Sequence, residues 1–340
     1  MHEIVRIVFA SDNNYIKYLA VSICSLIQNA SSDTQYDIYI ISDNVSEINK
    51  RKLLQISKPN INITFIDSAP IMQKYSDINF FVSGHISLAT YFRLFILDIF
   101  PKYDKIIYAD CDVIFNTDIA KLYDINLDNY YIAAVPDIGL IYESCVQTID
   151  SDYFHKQLNI SDITKYFNAG IICFNLKELR EQKIAFIDTL KWLTKPRYHD
   201  QCVLNTVCAG HVKYLDFQWN YWGNLKTDTP EYKTYFPKQY LSEFEKASAD
   251  PFIIHGKPWI YPDSEFAHLF FAYARMTPFY ESILYANLKP VTPSVAIDMN
   301  YIRKKYNKYK LANLLTFGMV GRFRHNVHKY YNILNKGDKK

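Results

Sequence analysis

Short apolar runs alternate with stretches of helical spacing through the first third of the chain. The runs predict buried strands, and apolar residues three or four positions apart predict amphipathic helices. The predicted strands are Ile4–Ala10, Tyr36–Ile41, Ile61–Ile66 and Lys105–Ala109. The predicted helices are Tyr15–Gln28, Ser46–Ile56 with Ser46 as N-cap, and Ser87–Ile99, which Pro101 ends. This alternation is typical of a Rossmann-like, mostly parallel α/β sheet with flanking helices.

The pattern is less regular beyond residue 130. We expect strands at Ile132–Val135 and Ile171–Asn175, and helices at Leu176–Leu193 and His199–Cys208. Residues 221–250 are polar and rich in tyrosine without a clear period, and are predicted to be loops. Neither an internal repeat nor a Gly/Ser linker interrupts the chain.

Charge is distributed unevenly around a formal net value of +3. Residues 301–340 hold eleven Lys/Arg and one acidic residue, Asp338, which leaves 27 basic and 34 acidic residues in the body of the chain. A basic tail on an acidic body indicates a partner for the tail. The acidic body argues against nucleic acid as the main ligand, because phosphate-binding faces are basic.

Two aspartates close the strand Lys105–Ala109. Asp110 and Asp112 flank Cys111, and the chain then returns to apolar residues. Ligands bind at strand ends in such sheets, and carboxylate oxygens there suit Mg²⁺ or Mn²⁺ bridging to phosphate. The alternative is that the paired aspartates only cap the next turn.

A second polar segment follows the first strand. It reads Phe9-Ala10-Ser11-Asp12-Asn13-Asn14-Tyr15 and opens a predicted helix, which is where a nucleotide sits in a doubly wound fold. Asp12 and Asn14 offer polar groups for a base edge, and Tyr15 offers a stacking face. An ordinary helix cap is the alternative interpretation.

Three further polar segments lie in apolar surroundings. They are Phe167-Asn168-Ala169-Gly170 before a strand, His199-Asp200-Gln201 at the start of a helix, and His255-Gly256-Lys257-Pro258-Trp259 after a strand. A histidine can complete a metal site, and a lysine can hold phosphate as a point charge. Taken alone, each such segment is more often a cap or a turn than a ligand.

Taken together and in order, these segments resemble glycosyltransferase family 8. That family includes bacterial lipooligosaccharide galactosyltransferases, lipopolysaccharide core glucosyl- and galactosyltransferases, and glycogenin. The resemblance runs from Ile4 to about Tyr280 and rests on FASDNNY, ATYFRL (residues 89–94), YADCD, FNAG, HDQ and HGKPW. It implies a GT-A fold over residues 1–285, followed by a basic, helical C-terminal extension at 286–340.

The resemblance also implies the roles of individual residues. Mn²⁺, or alternatively Mg²⁺, would be held by Asp110, Asp112 and His255, and the uridine part of UDP-glucose or UDP-galactose by Ala10, Asp12, Asn14 and Tyr15. Lys257 would contact the diphosphate, Cys111 would belong to the donor site, and Arg93, Asp137, Asn168 and Asp200 would surround the donor sugar. Gln201 would lie on the reacting face of that sugar, with Asp137 and Asp200 beside it, and His85 would be on the acceptor side.

The family retains anomeric configuration. Retaining glycosidases use a carboxylate nucleophile, whereas the matching position here is Gln201, and Cys202 replaces the aspartate of the lipooligosaccharide galactosyltransferases. We therefore expect a front-face reaction, in which the Gln201 amide stabilises the positive sugar as a dipole. Relatives also have several residues between the metal-binding histidine and Lys-Pro-Trp, whereas only Gly256 stands there here. We expect that either this loop is rearranged or one of the two contacts is lost, with His255 the more secure.

These features predict a hexosyltransferase that acts on a glycan or glycolipid acceptor, in lipopolysaccharide or surface polysaccharide synthesis. Six cysteines without a CxxC pair, and a start without a signal-peptide pattern, predict a cytoplasmic protein. Basic residues beside apolar Leu311–Val320 suit an anionic membrane surface, which predicts peripheral association with its inner face. A solvated tail, or a helix docked on a partner subunit, is the alternative. Two other functions stay open, a nucleotide-sugar nucleotidyltransferase and a catalytically silent glycan- or partner-binding protein.

Overall fold

The first strand and the helix after it begin the central sheet. In the computed structural model, strand β1 spans Val5–Asp12 and is almost wholly buried. A polar turn leads into helix α1, Ile16–Asn29, whose apolar side chains share one core with those of β1. The structure describes residues 4–82, 87–145, 149–223, 237–288 and 304–311.

The remaining elements follow in chain order. The strands are β2 (Tyr36–Asp43), β3 (Ile61–Asp67), β4 (Lys105–Ala109), β5 (Val113–Phe115), β6 (Ile132–Pro136), β7 (Phe167–Asn175), β8 (Val212–Tyr214), β9 (Tyr221–Trp222) and β10 (Ile253–His255). The α-helices are α2 (Glu47–Leu54), α3 (Ala69–Lys74), α4 (Ile96–Ile99), α5 (Ala120–Tyr123), α6 (Ile138–Cys145), α7 (Leu176–Glu181), α8 (Phe186–Leu190), α9 (His199–Cys208), α10 (Lys238–Ala249), α11 (Ala267–Ala274) and α12 (Tyr280–Leu288). Short 3₁₀ helices cover Leu88–Phe95, Ile163–Lys165 and Phe217–Asn220, and a π-helical turn covers Tyr153–Gln157.

The central sheet has seven strands in the order β3-β2-β1-β4-β7-β6-β8. Neighbours from β3 to β4 are parallel, β7 runs antiparallel between β4 and β6, and β8 is parallel to β6. The predicted mostly parallel α/β sheet is therefore confirmed, with β7 as the reversed strand. The carboxyl ends of β1 and β4 open side by side, which is where open sheets of this kind bind ligands.

A second, three-stranded sheet has the order β5-β10-β9. Strand β10 is antiparallel to β5 and pairs His255 with Val113. Because Val113 directly follows Asp112, this pairing brings a residue from late in the chain to the paired aspartates.

The helix predicted over Ser87–Ile99 is wrong in type for most of its length. Leu88–Phe95 is a 3₁₀ helix, and only α4 at its end is α-helical. In a 3₁₀ helix residues three apart lie directly above one another. This geometry sets Thr90 and Arg93 on one face, from which both contact Asp200.

The single helix predicted over Leu176–Leu193 is also wrong, because α7 and α8 divide it. The chain turns at Lys183, whose φ is +54°. The backbone N–H of Lys183 donates to the carbonyl of Arg180, and that of Ile184 to the carbonyl of Leu179. These bonds end α7 with a left-handed residue, a common form of helix termination.

Two further predictions need correction. Residues 221–250 contain strand β9 and helix α10 rather than loops alone, while residues 224–236 lie outside the described part of the chain. Strand β7 starts at Phe167 and not at Ile171, so the Phe-Asn-Ala-Gly segment lies inside the strand.

The chain divides into two units, Met1–Tyr285 and Ala286–Lys340. In the second unit residues 304–311 form a helix, and the rest of the basic tail from residue 312 lies outside the described residues. None of the described helices combines the length and apolar character that a membrane-spanning helix requires.

Candidate active site

The paired aspartates lie at the carboxyl end of β4, where the turn is tied to the neighbouring strand. The backbone N–H of Asp110 donates to the carbonyl of Gly170 at 2.8 Å, and that of Gly256 to the carbonyl of Asp112 at 3.1 Å. One ligand atom each from Asp110, Asp112 and His255 lies within 4.8 Å of the others. The three predicted metal ligands are therefore brought together.

Gly170 leaves space beside two members of this cluster, Asp110 and His255. A Cβ at this position would lie 3.2 Å from Oδ2 of Asp110 and 3.4 Å from Nδ1 of His255. Two carboxylates and one imidazole are donors that Mn²⁺ accepts, and a site with few protein ligands leaves positions for phosphate oxygens. The residues present thus fit a divalent cation, in a gap that a side chain at 170 would narrow.

The charges in the cluster are strongly coupled. Burial disfavours a charged imidazole, but the carboxylate of Asp112, with its Oδ1 3.5 Å from Nε2, outweighs burial and raises the pKa of His255. Burial opposes ionisation of Asp112 as well, yet His255 and Lys257 lower the pKa of that carboxyl. Burial raises the pKa of Asp110 to about 6 against the opposing effect of Arg93. A bound cation would replace these protons as the balancing charge.

Arg93 is the buried centre of an ion-pair network. Its Nη2 lies 2.7 Å from Asp110 and its Nε 2.9 Å from Asp200, and its guanidinium also donates to the carbonyl of Ala169 and lies over the Tyr108 ring. Burial opposes the charge on Arg93, but the two carboxylates raise its pKa above the usual range. The network fixes Asp110 relative to the start of α9.

A hydrogen-bond network around Asp137 fixes Gln201. The amide nitrogen of Gln201 donates to Oδ2 of Asp137 at 3.0 Å, while its oxygen accepts from the Ala169 N–H at 2.9 Å. Asn168 also donates to Oδ2 of Asp137, and its own oxygen accepts from Asn220. Both ends of the Gln201 amide are therefore held by the protein, and its dipole has one orientation.

The residues predicted to hold uridine divide into two groups. Ala10, Asp12 and Tyr15 line a small cavity together with Cys111 and Lys257, whereas Asn14 is exposed and is absent from the described lining of this cavity. Oδ1 of Asp12 accepts hydrogen bonds from the N–H groups of Asn14 and Tyr15, which forms an Asx turn before α1, whose own N-cap is Tyr15. Asp12 thus holds the turn while it faces the cavity.

The short His255-Gly256-Lys257 turn keeps the side chains of both His255 and Lys257 close to the paired aspartates. Nζ of Lys257 lies 3.7 Å from Oδ2 of Asp112, while Oδ1 of the same carboxylate is the oxygen that faces His255. The turn is anchored by Trp259, whose ring stacks on Tyr18 at 3.8 Å. The side chains of His255 and Lys257 therefore both lie beside Asp112, although only one residue separates them in the chain.

A larger cavity of about 800 Å³ adjoins the small one. Both cavities are lined by Tyr15, Thr90, Arg93, Asp110 and Lys257. Asp137, Asn168, Asp200, Gln201 and His255 line only the larger cavity. His85 lies outside the described residues. The volume is in the range of small-molecule sites.

Sequence reasoning missed four residues of this region. Thr90 donates to Asp200 at 2.6 Å, Gly170 leaves space beside Asp110 and His255, Asn220 donates to Asn168, and Trp222 lines the larger cavity. Thr90 and Gly170 stand inside motifs that were already recognised, so they could have been found. Asn220 and Trp222 come from a stretch without periodicity and gave no such signal.

Comparison with known families and proteins gives one consistent result. The family model described as "Glycosyl transferase family 8" matches residues 6–262. A curated relative from Haemophilus influenzae is 31% identical over 224 residues, which cover 64% of this chain and 63% of that protein. The lipopolysaccharide 1,2-glucosyltransferase of Escherichia coli K12 is 22% identical over 345 residues, covering 97% of this chain and 92% of the relative.

Solved structures show the same fold. The bifunctional glycosyltransferase WbbM superposes with a TM-score of 0.72 at 28% identity, and the match covers 84% of this chain and 52% of that one. The galactosyltransferase LgtC, solved with donor and acceptor sugar analogues, has a TM-score of 0.60 at 23% identity over 84% of this chain and 100% of that one. Both neighbours have the GT-A fold, so the predicted fold is confirmed.

Proposed function

This chain belongs to glycosyl transferase family 8, and we propose that it transfers a hexose, glucose or galactose, from a UDP-sugar to a glycan acceptor with retention of configuration. The acceptor belongs to lipopolysaccharide or a related surface polysaccharide. The relative named as a lipopolysaccharide 1,2-glucosyltransferase, which this chain matches over nearly all its length, supports that assignment.

One observation carries the proposal, namely the cluster of Asp110, Asp112 and His255 at the junction of two cavities. The small cavity, at the end of β1, suits a nucleotide, and the larger one suits the sugar and the acceptor. Mn²⁺ bound at the junction would neutralise the diphosphate between them. Lys257 adds a positive charge on the same side.

In the proposed reaction the bond between the anomeric carbon and the diphosphate oxygen breaks, and the diphosphate leaves with both electrons. The acceptor oxygen forms the new bond to the same face of the sugar and gives its proton to a diphosphate oxygen. Gln201 lies beside Asp137 with its amide fixed, so it stabilises the positive sugar without bonding to it.

Cys202 takes no part in this chemistry. It is fully buried, and its Sγ accepts from the hydroxyls of Tyr153 and Tyr166. A carboxylate nucleophile is thus missing at both Gln201 and Cys202, which supports the front-face route.

The test is UDP release from a panel of UDP-sugars, with and without Mn²⁺, and with Asp110→Asn as the inactive control. We expect one hexose donor to be consumed only with metal, and a transferred product with the donor's anomeric configuration. Synthesis of UDP-sugar from sugar phosphate would instead support a nucleotidyltransferase. Failure to bind or cleave any donor would contradict the proposal and favour a binding protein.

We also propose that the basic tail holds the enzyme at the inner face of an anionic membrane. The helix at 304–311 carries four lysines, Lys304, Lys305, Lys308 and Lys310, and each basic residue near an anionic surface contributes about 1 kcal/mol. Changing all four to Gln should reduce sedimentation with phosphatidylserine vesicles, whereas changing them to Arg should not. Equal sedimentation of the Gln and Arg variants would contradict the membrane role.

A further inference from the structure

Three exposed apolar side chains line the larger cavity. Trp222 is 38% exposed, Ile260 55% and Tyr261 54%. Single apolar residues on a convex surface are ordinary, but large ones grouped in a concave site indicate a binding surface. The polar residues of this cavity account for the sugar donor, and these three side chains have no role in that account.

Trp222 is fixed next to a metal-ligand residue. It is the register partner of His255 in the parallel pairing of β9 with β10. Register partners on neighbouring strands are about 4.8 Å apart and project to the same face. Tyr221, one residue earlier, is buried and packs in the core, so the indole of Trp222 is directed to the side of the imidazole.

The indole also lies against the first turn of α6. A Cβ at Gly139 would be only 2.7 Å from Cζ3 of Trp222 and 3.3 Å from Oδ1 of Asp137. The absence of a side chain at 139 therefore lets the indole edge reach a place beside Asp137. Asp137 in turn holds Gln201, so the ring stands close to the centre of the reaction.

Ile260 and Tyr261 are presented by the turn that carries Lys257. Their backbone N–H groups both donate to the carbonyl of Lys257, at 2.8 and 2.9 Å. The same turn thus directs the ammonium group of Lys257 to Asp112 and the side chains of Ile260 and Tyr261 to the larger cavity. Because they share this turn with Lys257, Ile260 and Tyr261 are held close to the paired aspartates.

We propose that Trp222, Ile260 and Tyr261 form the acceptor subsite, in which the C–H face of a pyranose ring stacks on the indole of Trp222. This inference rests on the proposed glycosyl transfer. A pyranose combines an apolar C–H face with a rim of hydroxyls, and an aromatic ring beside polar groups matches both parts. The acceptor is accordingly a glycoside with one unsubstituted ring face, and neither a lipid hydroxyl nor a peptide side chain.

Saturation-transfer NMR tests the subsite without requiring turnover. The full-length chain with UDP and diamagnetic Mg²⁺, which does not quench proton signals as Mn²⁺ does, is mixed with methyl glucosides, methyl galactosides and lactose, and transfer to each ring proton is recorded. We expect transfer to the C–H protons of one face for at least one glycoside, and its loss in Trp222→Ala. Trp192→Ala is the matched control, because Trp192 is 57% exposed and is not among the residues lining either cavity.

Gly139→Ala gives a second test that keeps the indole. Alanine is more favourable than glycine in a helix, so a folded protein is expected, yet the new methyl group displaces the ring. In transfer assays Trp222→Ala and Gly139→Ala should each raise the KM for the glycoside acceptor about tenfold or more. This change corresponds to the loss of about one stacking contact. In Trp222→Ala, the KM for the UDP-sugar should stay within about twofold.

The outcomes separate this inference from the proposed function. Signals that are equal in the wild type, Trp222→Ala and Trp192→Ala would overturn the subsite, as would the absence of any signal from the wild type. A protein that binds a glycoside through Trp222 but never consumes a UDP-sugar would support the subsite and contradict the transferase.

Discussion

At the scale of single residues, Gly170 has the sharpest consequence for the metal site. A methyl group there would lie 3.0 Å from Oδ1 of Asn168, 3.2 Å from Asp110 and 3.4 Å from His255. We predict that Gly170→Ala weakens Mn²⁺ binding about tenfold or more, or about 1.4 kcal/mol, because the ligand atoms must move apart. Calorimetric titration in the presence of UDP measures this, and unchanged affinity would show that the cation sits elsewhere.

The raised pKa of His255 predicts a pH dependence for the same binding. Below this pKa the imidazole is protonated and pairs with Asp112, whereas metal coordination needs it neutral. Asp110, with its pKa of about 6, adds a second competing proton. Mn²⁺ affinity should therefore rise by about tenfold or more between roughly pH 5.5 and 7.5. An affinity that is flat over this range would contradict the assigned ligands.

Arg93 offers a test of the buried ion pairs. Arg93→Met leaves Asp110 and Asp200 without their common cation, and breaking a buried pair costs about 3–5 kcal/mol. Arg180→Met is the control, because its pair with Asp104 is partly exposed and such pairs contribute about 0–1 kcal/mol. Urea unfolding compares the two variants, and similar losses in both would show that the Arg93 network adds no special stability.

At the scale of elements, the turn between α7 and α8 gives a prediction about stability. Lys183 has a φ of +54°, which is costly for any residue with a Cβ. Lys183→Gly should therefore raise the free energy of unfolding by about 0.5–1 kcal/mol, since relief of strain exceeds the added chain entropy. Lys183→Ala keeps a Cβ at the positive φ and therefore keeps the strain, so the midpoint temperature of unfolding should not rise. Destabilisation by the Gly variant would contradict this account.

The same elements show what the sequence could and could not predict. Apolar runs identified β1 to β4. Ser46 was predicted to cap α2, and its Oγ does accept a hydrogen bond from the N–H of Asn49. The 3₁₀ form of Leu88–Phe95 was missed because apolar spacing is similar in both helix types, and contacts with Asp200 select between them. The break at Lys183 was missed because no glycine or proline marks it.

The site residues also divide into those that a local sequence pattern predicts and those that depend on distant contacts. Asp110 and Asp112 stood out because they close an apolar strand, which is a local pattern. That His255 reaches them depends on the pairing of β10 with β5, which no local pattern contains. Only the resemblance to a family supplied it. Trp222 shows the remaining limit, because neither periodicity nor motif marked its position in the site.

At the scale of the whole molecule, the site joins segments from distant parts of the chain. One region receives a side chain or a backbone contact from each of six elements, namely the ends of β1 and β4, the 3₁₀ helix Leu88–Phe95, β7, α9 and β10. Such an assembly exists only in the folded chain, so binding of a cation and a nucleotide should be coupled to folding.

The most direct test of the central claim is Mn²⁺ binding followed by electron paramagnetic resonance in the presence of UDP. The account predicts one tight Mn²⁺ per wild-type chain, lost in Asp112→Asn and in His255→Ala, while the surface variant Asp104→Asn binds normally. Tight binding that survives both substitutions would contradict the claim that Asp110, Asp112 and His255 form the metal site.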